Sequence, residues 1–291
     1  MFNVVYLPIP ELFNFRQVLV GHGWSALAPF ELDMPAEKLH CVLYDIDSER
    51  PIRVSVEQVD KNIEIKFSKG VINNSKILDD VKHIFRLDED LSGFYAATEK
   101  VAGLEWIGER FGGRLLRSPT VFEDLVKTMC TTNCSWALTK IMVRNLVEKL
   151  GSPAVDGGYA FPTPQAMAAE PEQFYREEIK AGYRAPYLKL LAERTARGEL
   201  DTGGMLNSPL STAELKKELL KIKGFGQYAA DNMLKLLGRY DGLALDSYLR
   251  GEFYKRYNKG KKCKDSRIEK HYKGFGVWRG LAIWCDMSRP E

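Results

Sequence analysis

Hydrophobic and polar positions repeat with two different periods along this chain, and the change of period divides it. In "IRVSVEQV" (52–59) and "IEIKFSKG" (63–70) apolar and polar residues alternate. That pattern sets one face of a strand against a core and the other in water. "HCVLYDI" (40–46) is a third short run rich in β-branched and aromatic residues, and "SERP" (48–51) and "KGVINN" (69–74) supply turn residues. From about Ile77 the period lengthens to that of amphipathic helices. "SPTVFEDLVKTMC" begins with Ser118 as a candidate N-cap, Pro119 at the first helical position and acids in the early turns. Further helices are predicted over 136–150, 164–180, 186–197, 211–222, 227–238 and 246–257, with Gly- and Pro-bearing loops such as "GSPAVDGG" (151–158) between them. The pattern predicts an α+β fold: a small N-terminal antiparallel β-rich, mixed α/β domain over 1–90, then a larger all-helical domain over 91–291.

Composition adds limits. A chain of 291 residues can bury a sizeable core. Its net charge of +3 allows a polyanionic partner without requiring one. No apolar run reaches membrane-spanning length, and the start "MFNVVYLPIPELF" lacks the basic head and apolar core of a signal peptide. Five cysteines, an odd number with no C-x-x-C, read as reduced thiols. A protein of the cytoplasm or nucleoid (or nucleus), with no membrane partner, is expected.

The stretch "IKGFGQYAADNM" (222–233) reads G-x-G-x-x-A, one form of the dinucleotide-binding fingerprint. That fingerprint must follow a buried strand. Here Leu215, Leu219 and Ile222 fall at i, i+4 and i+7 with Lys and Glu between them, so a helix precedes the glycines. Ala229, Ala230, Met233, Leu236 and Leu237 mark a second helical face after them. The order is helix, glycine hairpin, helix, and the dinucleotide reading fails. Unpaired N–H groups at the start of the second helix can bind phosphate, and Lys223, Gly224, Phe225, Gly226 and Gln227 are the candidate DNA-backbone contacts. Gly224 and Gly226 would permit close approach, with Phe225 plugging the hairpin into the core. A corner whose glycines serve packing alone fits the hairpin equally well.

Beyond the hairpin, "GLALDSYLR" (242–250) sets Asp246 20 residues after Gly226 at a predicted helix start. With these residues the sequence resembles the helix-hairpin-helix DNA glycosylase superfamily, in which a loop after the hairpin ends in a catalytic Asp. Asp246 matches that position. It also suits a plain N-cap, and the two roles are compatible. "CTTNCSWALTKIMVRNL" (130–146) resembles a segment of 8-oxoguanine DNA glycosylases, and by that match Asn133 fills the hole left by a flipped base. "AGYRAPYLKLLA" (181–192) resembles the same branch, implying that Tyr183 is a wedge and that Arg184 hydrogen-bonds the orphaned opposite base. "IFRLDEDLSGFY" (84–95) looks like that family's interdomain linker, and "YKGFGVWRGLAIWCDM" (272–287) looks like the closing helix of the alkylbase branch. The resemblance implies two helical lobes flanking a base pocket, with the hairpin over 211–238. Trp136, Tyr228, Trp278 and Trp284 are the pocket candidates, although such residues also serve as ordinary core.

One departure bears on the chemistry. Bifunctional members carry a Schiff-base Lys two residues after the second hairpin glycine, where this chain has Tyr228. A tyrosine cannot form that imine. The expectation is a monofunctional glycosylase that hydrolyses the N-glycosidic bond of a damaged purine, alkylated or otherwise modified, with water as nucleophile and Asp246 stabilising the developing sugar cation. A cationic alkylated base would need little protonation to leave. An 8-oxoguanine glycosylase is the alternative, and a non-catalytic binder of bent or damaged DNA is a further one. Double-stranded DNA with a damaged base is the expected partner of a monomer. No cofactor and no metal are expected to be required, beyond a monovalent cation that the resemblance allows at the hairpin. Only Cys263 and Cys285 lie near the C-terminus, so no iron–sulfur cluster is expected. The basic stretch 254–274, with nine Lys or Arg, reads equally as a phosphate-contacting surface or a solvated loop.

Overall fold

The computed structural model describes residues 2–44, 50–68 and 74–289. Five strands form one antiparallel sheet in the order β1-β5-β4-β3-β2: β1 (Phe2–Pro8), β2 (Glu31–Asp33), β3 (Lys38–Tyr44), β4 (Pro51–Val59) and β5 (Asn62–Ser68). The alternation read from the sequence sets the faces. Val54 lies opposite Phe67 and Val56 opposite Ile65, all buried, while Arg53, Ser55 and Glu57 face outward. Each such apolar side chain contributes about 1.5–3 kcal/mol on burial. The last positions of the predicted runs 40–46 and 63–70, and most of the two turns, lie outside the described residues.

Helices α1 (Phe15–Val20) and α2 (Ser75–Phe85) pack with the sheet through Phe15, Val18, Ile77, Val81 and Phe85. The same core continues into α5 (Val121–Thr131), α6 (Trp136–Leu150), α7 (Pro164–Ala169), α8 (Glu172–Glu177), α9 (Ala185–Ala196), α10 (Thr212–Leu220) and α11 (Gln227–Leu236). A second core gathers α3 (Ser92–Thr98), α4 (Glu105–Glu109), α12 (Ser247–Tyr257), α13 (Asp265–Tyr272) and α14 (Arg279–Met287). The chain therefore leaves the first core near residue 90, returns to it near residue 116, and leaves again after Leu237.

Two local expectations change, and one strand is added. The cap of α5 is Thr120, whose hydroxyl accepts from the Glu123 N–H at 3.2 Å, because Ser118 is used elsewhere: its own N–H donates to the Asp124 carboxylate at 2.9 Å. The helix predicted over 164–180 is two helices, since extended backbone at Glu170 and Pro171 breaks it. Strand β1 had no clean sequence signature. It is an edge strand whose outward residues Phe2, Val4 and Tyr6 are exposed.

Helix α5 is nearly all buried, in keeping with its central place between α6, α9 and α11. Two charges inside it are matched locally: Lys127 pairs with Glu123 at 2.6 Å, and its ammonium stands 4.6 Å from the Phe30 ring centroid. A rigid rod of this kind delivers its C-terminal turn, Thr131 to Cys134, to a fixed position.

Candidate active site and nucleic-acid interface

The two cores meet along a cavity of about 1000 Å³. The first core contributes the loop Val20–Trp24, the turn Thr131–Cys134, Trp136 and the α11 residues Tyr228 and Asn232. The second contributes Leu245–Tyr248, Arg250, Trp284 and Ser288. Of the residues nominated from the sequence, Asp246, Asn133, Trp136, Tyr228 and Trp284 are brought together here.

Asp246 stands at the N-terminus of α12, half-buried, and its Oδ1 accepts from the Leu249 N–H at 2.7 Å. The helix end thus holds one carboxylate oxygen and leaves the other available to the cavity. Tyr228 rises from the first turn of α11 close to that carboxylate. Burial first, and the Asp246 charge second, push its phenol pKa up, so it stays protonated. Arg250, on the cavity border, is engaged in a bidentate contact with Asp265 at 2.9 and 2.8 Å.

The turn after α5 is the second wall. Asn133 takes a left-handed conformation (φ 46°), which asparagine tolerates, and its exposed side chain donates from Nδ2 to the Tyr183 hydroxyl at 3.3 Å. Tyr183 is 48% exposed, so both residues stand at the rim. Arg184 does not. The expected contact to an opposite base is not available to it in this conformation: the guanidinium is 4% exposed and is spent on the Thr132 carbonyl, the Thr132 hydroxyl at 3.3 Å and the Ala181 carbonyl at 3.4 Å. It lies 4.5 Å from the Tyr183 ring centroid, so it holds the rim turn and the Tyr183 ring in place.

Trp278 is also corrected. It stacks on Tyr240 at 5.7 Å and packs by Phe94 and Gly93 in the second core, away from the cavity. Trp284, one and a half turns further along, is the tryptophan that borders the site. Its Nε1–H donates to the Gly21 carbonyl at 2.7 Å, which fixes the ring.

Reading the sequence missed the contribution of "GHGW" (21–24). Gly23 has φ 80°, and a side chain there would press on the Trp136 ring at 3.3 Å. His22 stacks 4.3 Å from Trp24 and edge-on to Trp284 at 5.5 Å. Burial, with the charges of Lys235 and Arg86, lowers its pKa to about 3, so it is a neutral imidazole with a hydrogen bond to the Leu116 carbonyl and no partner on Nδ1. A His between two glycines, followed by a Trp, was the available signal, but nothing local ties it to Asp246, more than two hundred residues away.

The hairpin follows the sequence reading. Helix α10 begins with a capping box between Ser211 and Glu214. Phe225 is buried in the first core, while Lys223, Gly226 and Gln227 are exposed. Gly224 has φ 92°, and a Cβ on it would meet the Tyr187 ring at 2.8 Å, so this glycine is required on two counts. The first N–H groups of α11 have no side-chain cap and are free to meet an anion. All nine basic residues of 254–274 are exposed, on the end of α12, on α13 and on the loops beside it.

A five-stranded antiparallel sheet followed by helices carrying a helix-hairpin-helix is a fold shared with DNA glycosylases of the 8-oxoguanine and 3-methyladenine types. Among solved structures, the chain is similar to the 3-methyladenine DNA glycosylase of Archaeoglobus fulgidus, with TM-score 0.78, 16% identity, and 98% of each chain covered. It is similar to MBOgg1 in complex with a low-affinity DNA ligand, with TM-score 0.78, 21% identity, and 99% and 97% of the two chains covered. The Clostridium acetobutylicum 8-oxoguanine glycosylase/lyase, solved with double-stranded DNA carrying cytosine opposite 8-oxoG, matches at TM-score 0.72 and 19% identity over 98% and 96%. At these identities the likeness is one of fold. No family model matches the chain.

Proposed function

We propose that this protein is a monofunctional DNA glycosylase that excises a damaged purine from double-stranded DNA by hydrolysis. The observation that carries the reading is the meeting of Asp246, Tyr228 and Trp284 on one cavity, with the glycine hairpin on the same α11 that holds Tyr228. The similarity to glycosylases solved with DNA supports a DNA partner.

In this mechanism the hairpin N–H groups, with Lys223 and Gln227, grip the backbone of the damaged strand. The base leaves the stack at a cost of a few kcal/mol, and Asn133 and Tyr183 occupy the gap. The base enters the cavity against Trp284, Trp136 and Tyr228. The bond from C1′ to the base nitrogen then breaks, and its electron pair leaves with the base. The Asp246 carboxylate stabilises the cationic sugar and orients water, whose oxygen adds to C1′ while its proton passes to the carboxylate and on to solvent or base. The protonated Tyr228 contributes a wall and no nucleophile.

The test is single-turnover release from duplexes carrying hypoxanthine, 8-oxoguanine or an alkylpurine. Release of free base, with strand breaks appearing only after alkali, supports the reading. A covalent adduct trapped by borohydride overturns the monofunctional assignment. Absence of release from every duplex, with DNA binding intact, favours a non-catalytic binder.

A further inference from the structure

Helix α11 carries a polar column on its cavity side. Tyr228, Asn232 and Lys235 fall at i, i+4 and i+7, and the first two border the cavity. Lys235 continues the column inward. Its side chain is fully buried, and its ammonium makes no hydrogen bond among the described residues. It stands 4.8 Å from the centroid of Trp284, the ring fixed at the cavity wall by Gly21. The neighbouring helix positions Met233, Leu234 and Leu236 are apolar and buried, so packing alone would be served by an apolar residue. An unpaired buried ammonium is costly, and its retention beside the cavity asks for a use.

Burial lowers the Lys235 pKa to about 8, while the charges of Asp246 and Asp231 act to raise it. The group is therefore mostly an ammonium at pH 7. Its charge also helps keep His22 neutral.

We propose that Lys235 determines the charge of the base accepted: its ammonium, seated behind Trp284, makes the cavity select uncharged modified purines and turn away cationic alkylated ones. This rests on the glycosylase reading and narrows its substrate class. A cation on an indole face draws π density toward itself and leaves the ring a poorer partner for a second cation. Direct repulsion adds to this. For a base stacked beyond Trp284, two charges about 8 Å apart at an effective dielectric of about 20 give a discrimination of roughly thirtyfold. A neutral base meets no such penalty.

The experiment compares single-turnover release of hypoxanthine, a neutral base, and 7-methylguanine, a cationic one, by wild type, Lys235→Met and Lys235→Gln, each shown folded by circular dichroism. Relative to the uncatalysed loss of each base, wild type should favour the neutral base. Removing the charge should lower the neutral-to-cationic rate ratio roughly ten- to thirtyfold, mainly by faster release of the cationic base. An unchanged ratio in either folded variant overturns the role of Lys235, as does a larger wild-type rate enhancement, over uncatalysed loss, for the cationic base than for the neutral one. Release of neither base by wild type overturns the glycosylase reading itself.

Discussion

Asp246 has two roles that substitution can separate. Its carboxylate caps α12 through the Leu249 N–H and, in the proposed mechanism, faces a cationic sugar. Asparagine caps a helix about as well as aspartate but carries no charge, whereas alanine does neither. A carboxylate about 4 Å from a unit positive charge, at an effective dielectric of about 20, stabilises it by about 4 kcal/mol. Losing that term slows the chemical step about a thousandfold. Asp246→Asn should therefore lose about three orders of magnitude in single-turnover base release while melting within about 1 °C of wild type. Asp246→Ala should lose the same activity and also the cap, about 1 kcal/mol, or roughly 2–4 °C in Tm for a chain of this size. Release measured under enzyme excess isolates the chemical step, and a calorimetric melt reads the cap. Asp246→Asn releasing base within about threefold of wild type would refute the electrostatic role. An Asn variant melting as low as the Ala variant would refute the separation of the two roles.

Three further outcomes follow from the geometry. Gly224→Ala forces a side chain into a left-handed conformation and against Tyr187, so it should cost at least about 1–2 kcal/mol in a denaturant melt; Gly226→Ala meets nothing within 4 Å and should leave stability within about 0.5 kcal/mol, yet weaken duplex binding severalfold by fluorescence anisotropy. The His22 pKa of about 3 lies below its unfolded value, so the unfolded chain takes up the proton first and stability is lost as pH falls; between pH 7 and pH 5 His22→Gln should lose about 2 kcal/mol less than wild type, and parallel pH profiles would contradict the buried neutral imidazole. Arg86→Met leaves the Glu89 carboxylate without its cation and strands the carbonyls of Lys235 and Leu236, and should cost about 3–5 kcal/mol by chemical denaturation; a loss under about 1 kcal/mol would contradict that network.

What was legible in the sequence is what local physics decides. The hairpin was legible because two amphipathic periods flank Gly224, and only a helix could precede it. Asp246 was legible as a helix cap from its place at a helix start, and as a catalytic candidate only through the resemblance. Phe225 was expected in the core and is there. Trp278 was not assignable, because two tryptophans on adjoining turns carry the same local signal, and only the tertiary partners, Tyr240 for one and Gly21 for the other, separate them. Arg184 misled for a related reason. The resemblance implies an outward contact for it, but the Thr132 carbonyl at the end of α5 and the Ala181 carbonyl claim the guanidinium. Lys235 was visible only as a lysine near the hairpin; its burial and its lack of a partner are facts of packing.

The construction of the site explains why its parts are so scattered in the chain. Helix α11 packs in the first core, while Asp246 and Trp284 belong to elements of the second, so in the proposed mechanism the spacing between the base and the carboxylate depends on how the cores are joined. Arg86 is one fastener. From the end of α2 it caps the C-terminus of α11 and reaches Tyr240 of the second core. Trp284 is another, bonded back to Gly21 beside the sheet. Both fasteners close on the backs of residues that wall the cavity: Arg86 on the last turn of α11, where Lys235 sits, and Gly21 on the ring that Lys235 faces. Displacing either would move the ammonium relative to Trp284 before it moved Asp246, which is held by its own helix. Under the proposed function, a defect in joining the cores should therefore alter which base is chosen sooner than it abolishes base release.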